Sequence, residues 1–171
     1  LINYNTEYLH EKTLTNPYDC KPDNYKNSVA WINIDGIHDI KLIKELGEYY
    51  NLHSLMLEDI ASPGQRPKFD DYEDSVFVVL NMLQYEEGKK DIKTEQISFV
   101  LGSHYLLTFQ EDPFDIFNPN RSRIRGGKGK TRNSGPDYLM YSLIDTVVDN
   151  YFIILENISD QIEELEAKII A

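Results

Sequence analysis

The pattern of apolar and polar positions divides the chain into a strand-rich body and one very long helical stretch. Val29-Ala30-Trp31-Ile32-Asn33-Ile34 is β-rich and ends at Asp35-Gly36, a turn signal, which predicts a buried strand. Asp39 then has the chemistry of a helix cap, and Ile40, Ile43, Leu46, Tyr49 and Tyr50 fall on one helical face. A short second helix is predicted from about His53 to Ala61, stopped by Pro63-Gly64. Three strands follow over Ser75 to Gln84, Glu95 to Leu101 and His104 to Gln110, an antiparallel meander. Gly102-Ser103 makes the tight turn between the last two, and Gly88-Lys89-Lys90 lies in the loop between the first two. Asp112-Pro113 is read as the start of a further helix reaching about Arg125, and Gly126 to Arg132 as a flexible basic loop. Residues 1 to 28 are polar and rich in Tyr and Asn, and predict no more than a short strand or two with loops.

The runs Val76 to Leu80 and Phe99-Val100-Leu101 are too continuously apolar for a sheet with one wet face. Helices should therefore cover both faces. The predicted fold class is α/β: a three-layer α/β/α sandwich with a mixed, partly antiparallel sheet over about 1–133, followed by a long heptad-patterned helix over about 136–171. From Pro136, a favoured first helical residue, to Ala171 there is neither Gly nor another Pro. Tyr141, Ile144, Val148, Tyr151, Leu155, Ile158, Ile162, Leu165 and Ile169 alternate steps of three and four, a heptad seam about 50 Å long. A body of this size has a radius of gyration near 16 Å, roughly, so the helix should overhang it and pack on a following helix or another protomer. Asp145, Asp149, Glu156, Glu163 and Glu166 each follow a seam residue by one position and form an acidic flank.

Composition narrows the function classes. The chain has 171 residues, 41% hydrophobic and 27% charged, which is globular rather than disordered. Acidic residues outnumber basic ones 29 to 17, a net charge of −12. That balance opposes a general nucleic-acid binder or a protein held on anionic lipid by charge, and favours cations and basic partners. Arg121, Arg123, Arg125, Lys128, Lys130 and Arg132 concentrate basic charge in one stretch, read as a solvated surface or a partner for acidic stripes. The single Cys20 excludes an internal disulfide or Cys-rich zinc site and points to a reducing compartment. The longest unbroken apolar runs fall far short of the roughly 20 residues that span a bilayer. The chain lacks an initiator Met and stops inside a helical pattern, so we expect it to be the first part of a longer protein.

Among candidate chemistries, Glu58-Asp59 in the short helix is either a solvated helix face or a hard-cation pair, since Mg²⁺ and Ca²⁺ take oxygen ligands. His38 and His53 lack HExxH or comparable ligand spacing. No GxSxG elbow is present, and Gly126-Gly127-Lys128-Gly129-Lys130 lacks the phosphate-loop frame. Spacing alone leaves Glu58-Asp59 undecided.

Several ordered blocks then resemble one family. Trp31-Ile32-Asn33-Ile34-Asp35-Gly36-Ile37-His38 is similar to the opening signature of the cytoplasmic domain of CorA magnesium transporters. His53-Ser54-Leu55-Met56-Leu57-Glu58-Asp59-Ile60 resembles the next block, with Ser54 where Pro is common. Gln65-Arg66-Pro67-Lys68, Glu95 to Leu101, Leu107 to Glu111, and Asp137 to Asp145 continuing through Phe152 complete the match, over roughly residues 29 to 171. The resemblance implies a soluble α/β/α domain ahead of a stalk helix and two transmembrane helices. It implies a homopentameric channel in the cell (inner) membrane, with this domain on the cytoplasmic side, carrying Mg²⁺, with Co²⁺ and Ni²⁺ also carried in the family. In relatives, cytoplasmic Mg²⁺ bound between neighbouring domains holds the channel closed. The carboxylates involved match Glu58, Asp59 and Asp145, while the partner residue on the stalk and the Gly-Met-Asn pore motif are absent from this chain. Asp149 and Glu156 are candidates to extend the acidic flank of that site. The implied protein is a transporter and not an enzyme. The rival readings are a related zinc or other divalent-metal transporter, a soluble metal-dependent hydrolase using Glu58, Asp59 and a His, and an RNA-binding module using Arg121 to Arg132.

Overall fold

Among the described residues seven strands form one mixed sheet in the order β2-β1-β3-β7-β6-β5-β4. They are β1 Ile2–Tyr4, β2 Leu9–Glu11, β3 Val29–Asp35, β4 Lys68–Asp71, β5 Val76–Glu86, β6 Asp91–Leu101 and β7 Tyr105–Gln110. This computed structural model describes residues 1–25, 27–86, 91–113, 116–127 and 129–170. The expected loop at Gly88-Lys89-Lys90 and Lys128 of the basic stretch lie outside the described residues. Strands β3 and β7 pair in parallel, with Trp31 opposite Leu106 and Ile34 opposite Phe109. Every other neighbouring pair is antiparallel, and β5-β6-β7 is the expected meander.

The continuous apolar runs are explained by helices on both sides. Successive strand residues point to opposite faces, so Trp31, Val78, Phe99 and Leu106 enter one core and Ile32, Phe77, Val100 and Leu107 the other. The first core is covered by α3 (Asn118–Gly126) and α4 (Pro136–Ile170), through Ile124, Leu139, Leu143 and Val147. The second is covered by α1 (Ile40–Tyr50) and α2 (Ser54–Ala61), through Ile43, Leu46, Met56 and Ile60. The fold is the three-layer α/β/α sandwich expected from the sequence.

Helix α1 begins where the Asp39 carboxylate accepts the Leu42 N–H at 3.1 Å and ends where Asn51 turns left-handed at φ 50°. Ile40, expected on its buried face, is 43% exposed, whereas Gly47 is buried. A Cβ on Gly47 would lie 2.6 Å from Leu57 Cδ1, so the missing side chain lets α2 approach α1. The His53 ring then caps α2, accepting the Leu55 N–H at 3.2 Å.

The structure adds one unpredicted strand, moves one helix start and shows what part of the basic stretch touches. Strand β4 falls where the apolar pattern predicts no element, because it is short and polar; it is an edge strand paired with β5 alone. The helix expected from Asp112 starts at Asn118 instead. Glu95 Oε1 accepts the N–H groups of Glu111 and Asp112 at 2.8 and 2.7 Å, holding that segment against β6, and Pro119 supplies the true first turn. In the described part of the basic stretch, Arg125 makes a two-pronged ion pair with Glu11 and Arg132 donates to the Asn5 carbonyl at 2.9 Å. These contacts join Arg125, at the end of α3, and Arg132, at the end of the basic loop, to the N-terminal segment.

The long helix runs over 35 residues, about 52 Å at 1.5 Å per residue. Its sheet-facing stripe is Leu139, Leu143, Val147 and Ile154, all buried, and not the predicted heptad seam. Of that seam only Ile144, Tyr151 and Ile158 are half-buried, while Tyr141, Val148, Leu155, Ile162, Leu165 and Ile169 are exposed. At 3.6 residues per turn the seam lies about 90° around the helix from the sheet-facing stripe. The helix therefore carries two apolar stripes. Contacts from Asn150 to Leu83, Tyr151 to Asn81 and Gln161 to Tyr85 fasten it to β5. Beyond Gln161 the described side chains are all exposed, so the helix leaves the body.

Candidate divalent-cation site

Met56 and Ile60 anchor α2 to the sheet and thereby set the direction of the acidic pair between them. Glu58 is exposed; Asp59, beside Ile60, is half-buried with 18% of its side chain accessible. The end of α2 is held by Gln96, a buried residue of β6, whose Nε2 donates to the Asp59 carbonyl at 2.9 Å. Its Oε1 accepts the Gln65 N–H at 2.9 Å, so one side chain joins the helix, the following loop and the sheet. Gln96 was not singled out in the sequence, where it stands as one polar residue in an apolar strand.

Asp59 faces a cation of its own chain. Lys68 Nζ from β4 lies 2.5 Å from Asp59 Oδ2 and 3.1 Å from Asp70 Oδ2. The hydrogen bond to Asp59, followed by that to Asp70, raises the Lys68 pKa above its ordinary value against the opposing effect of burial. The ammonium marks this carboxylate as a place where positive charge is stabilised.

The third predicted ligand lies in another layer. Asp145, with Asp149 and Glu156, is exposed on α4, which covers the opposite face of the sheet from α2. The structure brings Glu58 and Asp59 together and keeps the α4 carboxylates apart from them. Among the described residues no group of three or more His, Cys, Asp or Glu is placed to hold a metal ion. The hydrolase reading required such a closed set, and both histidines proposed for it are otherwise engaged. His38 Nδ1 lies 2.6 Å from Glu111 Oε1, and His53 caps α2 and packs on Tyr72 with ring centres 5.3 Å apart. A cleft of about 900 Å³ between the N-terminal segment and α1 includes none of Glu58, Asp59 and Asp145.

One further carboxylate stands out. Glu95 is pushed upward in pKa by burial, partly offset by the N–H groups of Asp112 and Glu111 that it accepts. It shares a pocket with Lys93, Glu111 and Asp112, where Lys93 pairs with Asp112. Its hydrogen bonds make it a structural clamp for the end of β7.

By length and composition α4 is apolar enough to cross a membrane. Here Leu139, Leu143 and Val147 are instead buried on the sheet, and the far half carries Glu156, Asp160, Glu163, Glu164 and Glu166.

The chain is thus an α/β/α domain with exposed carboxylates on two of its layers and a long C-terminal helix that projects from it. Residues 26–171 match the family described as CorA-like Mg²⁺ transporter protein, and the chain belongs to the CorA family. It is 40% identical over 170 residues to the cobalt/magnesium transport protein CorA of Thermotoga maritima, covering 99% of this chain and 48% of that protein. The chain thus spans about half the length of this curated relative. The soluble domain of CorA from Methanocaldococcus jannaschii superposes with a TM-score of 0.71 at 19% identity, over 99% of this chain and 64% of that one. The ZntB cytoplasmic domain from Vibrio parahaemolyticus gives 0.71 at 14% identity, over 96% of this chain and 64% of that one. At these identities the two structures establish the fold alone. The family and fold class expected from the sequence are both upheld.

Proposed function

We propose that this chain is the cytoplasmic, divalent-cation-sensing domain of a Mg²⁺ and Co²⁺ transport channel, with Ni²⁺ as a further candidate cargo. It is one domain, joined through α4 to a stalk and transmembrane helices, and assembles as a homopentamer in the inner membrane. Mg²⁺ is held at the boundary between neighbouring protomers by Glu58, Asp59 and Asp145, with Asp149 and Glu156 extending the acidic flank.

The observation that carries this reading is the separation of the carboxylates. Glu58 and Asp145 stand exposed on layers on opposite sides of one sheet, with Asp59 half-buried beside Glu58, and no three close on an ion among the described residues. A cation bridging them needs a second protomer. The donor chemistry fits: carboxylate oxygens, few in number and at Glu58 and Asp145 open to water, suit Mg²⁺, which keeps much of its hydration. Such a site empties as cytosolic Mg²⁺ falls. Unfilled acidic faces repel one another, and a bound cation bridges them. A ligand that binds one arrangement better shifts the population toward it, here toward the closed channel. Helix α4, fastened to β5 as far as Gln161 and exposed beyond, is suited to carry the change toward the pore. Its exposed apolar stripe is suited to pack on the stalk or a neighbour.

The test uses the full-length protein in liposomes, with Mg²⁺ flux recorded against internal Mg²⁺. The combined Glu58→Gln, Asp59→Asn and Asp145→Asn variant is expected to lose closure or to require at least about tenfold more Mg²⁺, a change of about 1.4 kcal/mol. Closure at an unchanged Mg²⁺ concentration overturns the reading.

A further inference from the structure

We propose that Lys68 is a tethered competitor for the cation at Asp59, and that its exchange between Asp59 and Asp70 sets how much Mg²⁺ is needed to fill the site. This rests on Asp59 being a Mg²⁺ ligand, as proposed above.

Lys68 Nζ already occupies Asp59 Oδ2 at 2.5 Å. The ammonium opposes a metal ion on the same carboxylate: two cations would share one negative group and repel each other across a few ångströms. Lys68 has somewhere else to go. Asp70 lies two residues on in the same strand, hence on the same face, and its Oδ2 is 3.1 Å from the same ammonium. Lys68 can therefore release Asp59 without losing every carboxylate partner. The movement needs only rotation of a flexible four-carbon stem ending in a compact charge with three donors, the property that separates Lys from the rigid fork of Arg. The backbone around it is held: β4 pairs with β5, with Lys68 opposite Val79, and Gln96 fixes the end of α2.

The partial burial of the pair matters. Lys68 has 33% of its side chain accessible and Asp59 18%, so water screens their attraction less than at an open surface. The competition then has a simple quantitative form. Apparent affinity falls by the fraction of protein whose site is open to the ligand. If Lys68 holds Asp59 about nine-tenths of the time, the required Mg²⁺ rises about tenfold. The intramolecular ammonium is a fixed threshold written into the chain, separate from the number of metal ligands.

The experiment takes the full-length protein in detergent and measures the Mg²⁺ concentration giving half of the maximal rise in melting temperature. Lys68→Met is expected to lower that midpoint about tenfold. Lys41→Met removes the same charge from an exposed residue paired with Glu45, away from Asp59, and is expected to change it less than about twofold. Asp70→Asn takes away the second seat and is expected to raise the midpoint. If Lys68→Met leaves the midpoint unchanged while Asp59→Asn raises it, the competition is overturned and the Mg²⁺ reading of Asp59 stands. If Lys68→Met and Lys41→Met lower it equally, the effect is general charge and the competition is likewise overturned. If Asp59→Asn itself has no effect, the underlying reading falls. Should Lys68→Met fail to fold, Lys68→Gln and Asp70→Asn carry the same test with opposite expected signs.

Discussion

Replacing Thr108 by Val removes a hydroxyl from the middle of the sheet while keeping its shape. Thr108 is fully buried and bridges the only parallel strand pair among the described residues. Its Oγ1 accepts the Trp31 indole N–H at 3.1 Å and donates to Asn33 Oδ1 at 2.7 Å. Asn33 passes the chain on to Asp35 Oδ1 at 2.8 Å. In the Val variant the indole N–H, on a residue 1% exposed, loses its acceptor in a site closed to water. An orphaned buried donor costs about 1–3 kcal/mol. The half-buried Asn33 carbonyl adds up to about 1 kcal/mol, less where water reaches it. Against this, the added methyl contributes about 0.8 kcal/mol of burial. The net expectation is a loss of about 2 kcal/mol, or about 4–8 °C in melting temperature for a chain of this size. Urea unfolding followed by the fluorescence of Trp31, the single tryptophan, reads the change at the site itself. The midpoint should fall while the slope stays constant. A loss under about 0.5 kcal/mol, the range of an inconsequential surface change, would refute the view that this polar chain secures the β3–β7 pair.

Other expectations follow from the same structure. Leu143→Ala, in the sheet-facing stripe of α4, should cost about 2–5 kcal/mol in urea unfolding. Leu155→Gln and Ile162→Gln, in the exposed stripe, should stay within about 0.5 kcal/mol in this chain and weaken assembly of the full-length protein, read by light scattering. Burial pushes Tyr105 up to about 12 and Tyr4 and Tyr50 higher still. The unfolded chain therefore releases these protons from about pH 10 while the fold retains them. The stability they contribute is fully present below that pH and falls above it by about 4 kcal/mol per pH unit for three groups. Tyr4→Phe should remove about a third of that slope with little effect at pH 7, because its buried hydroxyl has no partner among the described residues. Glu95→Gln should be more stable than the parent at pH 7 and equal to it below about pH 4. The buried carboxyl titrates above its unfolded value, so its ionisation costs stability as pH rises, whereas the amide oxygen still accepts the two N–H groups without charge.

The acidic surplus gains a spatial meaning in the fold. Some of it is already matched within the chain, as at Glu11 with Arg125 and Asp59 with Lys68. Asp145 and Asp149, by contrast, stand exposed on α4. Net charge alone could not separate the two groups. The Arg125 and Arg132 contacts also account for part of the basic stretch that the RNA-binding reading relied on, by tying it to the N-terminal segment.

Local chemistry was sufficient for much of this protein. The buried strand at Val29, the Asp39 cap, the meander and the unbroken helix from Pro136 are all signals between near neighbours. Apolar runs implied two covered faces because a strand exposes both of its sides. The blocks around Trp31 and Glu58-Asp59 identified the family. What only the tertiary structure decided is which of two apolar stripes on α4 meets the sheet, since a heptad pattern specifies spacing and not the partner. It also decided that Lys68 sits on Asp59, that Gln96 holds the end of α2, and that Asp145 lies across the sheet from Glu58. Those relations depend on how separate elements pack. Periodicity along one chain carries no record of the distance across a sheet, so the outward, divided arrangement of the carboxylates became visible only when the layers were assembled.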